Sequence, residues 1–161
     1  MALTSILRVH SAWMVLAATC LCAGCEPSTK PRKLAASASL DVFAVSATEV
    51  PDSRATIDPE TGGTIYLIVP AVVELADVQT IQRSGNFSDD HSLTIRLTPD
   101  GAKKLAAATT PATGQQLAVV INGQVIAIPR VMSPLTGGAF VISGSEIRKH
   151  REEIFEALTT E

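Results

Sequence analysis

The side chains with the most chemical potential are crowded at one end of the sequence: Cys20, Cys22 and Cys25 are its only cysteines. A thiol is a nucleophile, a metal ligand or a disulfide partner. Beyond them, His91 and His150 are too few and too far apart for a zinc spacing, so no metal is expected. Ser143-Gly144-Ser145 lacks the Gly-x-Ser-x-Gly elbow that exposes a nucleophilic serine. The acids Asp89-Asp90 and Glu152-Glu153 are adjacent, so on a strand or helix they diverge instead of converging as an acid and base. Gly62-Gly63 and Gly137-Gly138 have neither a phosphate-loop ending nor dinucleotide spacing and read as turns. His150, in the basic run Arg148-Lys149-His150-Arg151, falls three residues after Ile147: a pH-sensitive contact, or a boundary residue with its ring half covered. These residues predict no catalytic site and no cofactor.

The cysteine cluster closes a stretch with the layout of a secretory signal. Residues 1–10 carry Arg8 and no acid, and Ala12 to Ala23 is a run of about a dozen apolar or small residues, short of the roughly 20 of a spanning helix. Leu21-Cys22-Ala23-Gly24-Cys25 resembles the lipobox of bacterial lipoproteins. The resemblance implies cleavage between Gly24 and Cys25 and a diacylglycerol on the Cys25 thiol, with Cys22 standing where a larger aliphatic is usual. The other reading is an ordinary signal cut near Gly24. Cleavage before Cys25 would leave a chain with one thiol and no internal disulfide, and lipidation would cap that thiol.

Residues 25–39 follow as the lipidated cysteine and a disordered tether: Pro27, Pro31 and small residues give no hydrophobic period. Lys30, Arg32 and Lys33 are either contacts to anionic headgroups or a solvated spacer. Of the 13 basic and 16 acidic residues only Arg8 precedes Cys25, so the rest of the chain is more acidic than the whole, whose formal charge is −3. That balance argues against a nucleic-acid partner.

Residues 40–161 must hold the fold. Leu40–Ser46 alternates, Thr64–Val69 is an apolar run ended by Pro70, and Pro51–Gly63 between them has the content of a surface loop. Ala76–Val78 predicts one helical turn, Gln79–Arg83 a short edge strand, 84–90 a polar loop, and His91–Leu97 another strand. Thr98-Pro99-Asp100 predicts a helix start, a hydroxyl cap, a proline at the first position and an acid at the positive dipole end; Pro111 closes that helix. Asn122-Gly123 between Leu117–Ile121 and Gln124–Ile128 predicts a two-residue hairpin, and Pro129 stops its second arm. Ala139–Ile142 predicts a last strand, and Ser143 with Glu146 a capping box for a helix with Ile147, Ile154, Phe155 and Leu158 on its apolar face. The expected class is α+β: a small, mainly antiparallel sheet with two helices packed on one face.

LTPDGAKKLAAAT, then QQLAVVINGQVIAIPRV, then GGAFVISGSEI, resembles the head subdomain of the first periplasmic region of SecD, a protein-export membrane subunit. The matching positions are Thr98, Pro99, Gly101, Ala102, Leu117, Ala118, Val119, Gly123, Val125, Pro129, Gly137, Gly138, Ile142 and Gly144. Asn122 and Ile128 depart from the family pattern, which has Asp and Ala there. The resemblance implies this fold and a capacity to contact extended polypeptide. The expected function is therefore a non-enzymatic, lipid-anchored protein of the cell envelope, facing the periplasm or exterior, that binds a protein partner or an exported chain. The alternative is a lipoprotein that binds a small molecule or envelope polymer. Contact is expected along the edge at Gln124, Ile126, Ile128 and Arg130, unless Pro129 is there to block an added strand.

Overall fold

The computed structural model describes residues 30–84, 91–111 and 114–159. Along them run β1 (Leu40–Ser46), β2 (Ser53–Ile57), β3 (Thr64–Val73), a 3-10 turn (Leu75–Asp77), β4 (Val78–Ser84), β5 (Ser92–Leu97), α1 (Pro99–Thr109), β6 (Leu117–Ile121), β7 (Gln124–Ala127), β8 (Ala139–Ile142) and α2 (Ser145–Thr159). All pairings are antiparallel, so the class is α+β as expected, but the strands divide between two sheets instead of one: β2-β3-β1-β6-β7 and β4-β5-β8.

The main core lies between the sheets and under both helices. Alternate side chains of β1 (Leu40, Val42) and β6 (Leu117, Val119, Ile121) meet Ile81, Leu93 and Ile95, with Leu105 from α1 and Ile147, Ile154, Phe155 and Leu158 from α2. Phe155 is wholly buried; removing such a side chain from water is worth about 3 kcal/mol. The opposite face of the five-stranded sheet buries a smaller cluster, Phe43, Leu67, Ala118, Val120 and Val125. All five residues of β6 are buried because it serves both cores. The β2–β3 turn approaches the start of α2: Glu60 Oε1 lies 3.4 Å from where a Cβ on Gly144 would stand.

Four expectations need correction. Ser53–Ile57 is a strand and not loop; it pairs only with β3 and buries little, so no apolar alternation marks it. Pro70 does not end β3. Between the pairs Val42↔Val73 and Ala44↔Ile68 the strand carries extra residues, and Pro70 falls among them, where no ladder donor is required. Helix α2 begins at Ser145, so Ser143 lies outside the capping position, which falls to Gly144, whose carbonyl accepts the Arg148 N–H at 2.9 Å.

The fourth correction concerns the tether. Arg32 and Ile81 exchange both backbone hydrogen bonds at 2.8 Å, and Ala35 N–H donates to Leu158 O at 2.8 Å. Ala35 is 2% exposed, and Leu34 and Ala38 pack on the main core. From Arg32 onward the chain is a strap bound to the domain. Backbone bonds, the buried Ala35 and the partial packing of Leu34 and Ala38 hold it, and contacts so scattered leave no hydrophobic period to detect.

Candidate functional site

The motif residues build scaffold. Thr98 Oγ1 accepts the Gly101 N–H at 3.1 Å with Pro99 at the first helical position, so α1 starts as its sequence predicts. Gly101 sits against the 3-10 turn so closely that a Cβ there would lie 2.5 Å from Asp77 O. Asp77 is the hub of this contact: its carbonyl accepts Thr98 N–H at 2.8 Å, and its carboxylate accepts Glu74 N–H at 3.1 Å and Lys104 Nζ at 2.9 Å. Burial pushes the Asp77 carboxyl up, but the Lys104 hydrogen bond, the Glu74 amide and the Lys104 charge together outweigh it and hold the pKa below the ordinary value. Gly138, at φ +67°, brings the β8 entry to 3.6 Å from Ala102 Cβ, measured from a Cβ it lacks. Gly101 and Gly138 thus mark where backbone packs against α1.

The hairpin forms as expected, with Asn122 at φ 49° and Gly123 at φ 81°. Asn122 does a second job. Its Oδ1 accepts Ser39 N–H and its own N–H donates to Ser39 O, both at 3.0 Å, clamping the end of the strap to the hairpin tip.

The four expected contact residues do not share one surface. Gln124 is exposed and Ile126 buried, both along an open groove of about 300 Å³ against α2, where Glu146, His150 and Glu153 form the far side. Ile128 packs on the smaller core cluster. Arg130 is exposed, donates to Gly114 O at 2.8 Å, and lines a different cleft. Pro129 does not cap an edge: its carbonyl accepts Leu117 N–H at 3.0 Å, so its missing donor faces β6, while the peptide groups of Arg130 point outward. Proline therefore leaves this edge open.

That second cleft, about 240 Å³, is lined mainly by apolar side chains. Leu105, Leu117 and Val119 floor it; one side is Pro129 to Ser133 and the other is Phe140 and Val141 of β8. Met132 is 77% exposed and Val141 57%, so two large apolar side chains stand in water at its rim. β8 is an edge strand of its sheet, and residues 129–131 run along β6 beyond β7, so an edge of each sheet borders the cleft. Sequence reasoning missed Met132 and Val141. Met132 lies in a proline-, serine- and glycine-rich stretch without period, the only available signal being an apolar residue where a loop should be polar.

The residues weighed for chemistry stay apart. Glu152 pairs with Arg83 and Arg151, and Glu153 with His150 Nδ1 at 3.2 Å. His150, its side chain half exposed, interrupts α2 with φ −124° and ψ 18°. Asp89, Asp90, Gly24 and Cys25 lie outside the described residues. No group of three metal-ligating side chains occurs among the described residues.

Residues 49–158 match the family described as SecDF, P1 head subdomain. The chain belongs to this family. Strap and β1 precede the matched stretch, although β1 lies between β3 and β6 in the larger sheet. The head subdomain is 36% identical over 78 residues to the protein translocase subunit SecD of Acidaminococcus fermentans, which is 48% of this chain and 19% of that one. To the translocase subunit SecDF of Thermus thermophilus it is 36% identical over 62 residues, 38% of this chain and 8% of that one. It therefore spans a fifth or less of these relatives. Among solved structures, a membrane component SecDF that enhances protein export superposes with TM-score 0.54 at 21% identity, covering 78% of this chain and 62% of that one. SecDF in a super-membrane-facing form gives 0.53 at 22% identity, covering 78% and 18%. These two superpositions carry the fold.

Proposed function

We propose that this protein is a non-catalytic, lipid-anchored envelope component associated with protein export, which holds an extended segment of another polypeptide at the inter-sheet cleft. The observation that carries the reading is the cleft itself: exposed Met132 and Val141 beside two open strand edges, in a SecDF head subdomain. An added strand satisfies its backbone on the edge of a sheet and places alternate side chains in an apolar hollow, which binds many sequences without selecting one. The anchor part of the reading rests on the residues before Cys25, and it supplies a membrane attachment for a chain in which no described helix is long and apolar enough to cross a bilayer. A mostly apolar cleft is also the common form of a small-molecule site, so a small ligand is the competing occupant of the same hollow.

A photo-crosslinking residue at Met132 in growing cells tests the reading. Adducts with exported chains at position 132, absent when the probe replaces Ile57 on the distant β2, are expected. Equal labelling at both positions, or none at Met132, contradicts it.

A further inference from the structure

The four outer edges of the two sheets are not alike. β4 is bridged by Arg32, β2 carries Arg54, and β7 lies beside α2, with Arg130 charging the stretch beyond it. β8 reads Ala139-Phe140-Val141-Ile142, with no charge and no proline, and among the described residues it pairs only with β5. Charge, proline or a covering element is what usually keeps an edge from pairing. The free backbone groups of β8 follow from its ladder. Leu97 N–H donates to Gly138 O at 2.9 Å, so that pair is a hydrogen-bonded one, and by alternation so are Ile95–Phe140 and Leu93–Ile142. Ala139 and Val141, opposite Arg96 and Thr94, fall in the intervening pairs, and their N–H and C=O groups point outward from the sheet edge.

We propose that the polypeptide segment held at the cleft adds to β8 as a strand and is selected by a pattern of charge: two apolar residues separated by a neutral or acidic one, and not by a basic one. This rests on the polypeptide-capture reading of the cleft. In an added strand the residue opposite Val141 points to the same face as Val141, which is 57% exposed, while its two neighbours turn to the face of Phe140, where the cleft opens onto Leu105, Leu117 and Val119. Those two positions take apolar side chains. Arg130 is the one charge in the cleft lining, and Arg96 stands exposed opposite Ala139 on the outer face, so positive charge meets the added strand from both sides. A cationic segment is repelled there, and a carboxylate between the apolar residues is attracted.

The test uses the full chain as processed in cells, in detergent micelles, with the capped peptide Ser-Thr-Ser-Val-Glu-Val-Ser-Thr-Ser as probe. Expected are a several-fold slowing of amide exchange at Ala139 and Val141 but not at Arg130, binding of the analogue with lysine for glutamate weakened at least about threefold, and loss of binding when the three central residues are N-methylated. Val141→Pro removes an outward N–H that β5 does not use and should abolish the slowing at Ala139. Val141→Glu keeps the N–H and should invert the preference between the two peptides, so the inference stays testable if the proline variant does not fold. Slowing at Arg130 instead of Val141, equal binding of the lysine analogue, undiminished binding of the methylated peptide, or binding of unfolded secretory protein without slowing at Val141 overturns the pairing while capture stands. No change at any cleft amide with the peptide or with unfolded secretory protein overturns the capture reading, and the pairing with it.

Discussion

The helix start at Gly101 and the carbonyl of Asp77 are packed so closely that no side chain fits between them: a Cβ on Gly101 would stand 2.5 Å from Asp77 O and 2.7 Å from Asp77 Cβ. Both obstructing atoms belong to rigid parts of the turn, which is tied to Thr98 and Lys104. Gly101→Ala should therefore destabilise the domain by about 2 kcal/mol, since overpacking forces backbone shifts, although alanine favours helix elsewhere. Chemical denaturation of the variant measures it, and an unchanged midpoint would refute the contact.

The pH dependence of stability should carry the mark of Asp77. Its folded pKa lies below the unfolded one, so its contribution is complete above the ordinary carboxylate value and is lost as pH falls through the folded value. Lys104 is raised by the same partnership, but its side chain is 54% exposed and screened by solvent, so the acid limb is the one to measure. Asp77→Asn should flatten the fall in melting temperature below about pH 4. A wild-type slope in the variant would assign that loss to other carboxylates.

Gly123 adopts φ +81° with nothing within 4 Å of the position a Cβ would take, so its requirement is purely one of backbone. Gly123→Val should cost more than about 1 kcal/mol, and Gly123→Asn, which tolerates this region, clearly less. Thermal unfolding of the pair separates them. Equal melting temperatures would remove the turn from the account.

Such positions were legible in the sequence because each couples residue type to local geometry: Asn122-Gly123 to positive φ, and Thr98-Pro99 to a helix start. The SecDF head likeness was legible for the same reason, being carried by those punctuating residues. What escaped had no local signature. The strap is fixed by the Arg32–Ile81 and Ala35–Leu158 bonds, between segments far apart in the chain. The split into two sheets depends on which strands share an edge, and periodicity names a strand's faces without naming its neighbours. Of the residues expected at the edge from Gln124 to Arg130, Arg130 lies beside the apolar cleft, whereas Ile126 and Ile128 are turned to a groove and a core, a division that alternation along the strand does not reveal.

Cys25→Ser should release the protein from the membrane without unfolding it, because no thiol takes part in the described cores. Fractionation of cells reports the first effect and circular dichroism the second. A variant that stays membrane-bound and uncleaved contradicts the lipid-anchor reading.

Titration of the unacylated mature chain with an unfolded secretory protein, followed by amide chemical shifts, tests polypeptide capture most directly. The account predicts shifts at Arg130, Val131, Met132 and Val141, around the cleft and its two edges, saturating together and weakened by Met132→Ser. Absence of shifts at millimolar ligand, or shifts confined to residues ahead of Arg32, would contradict it.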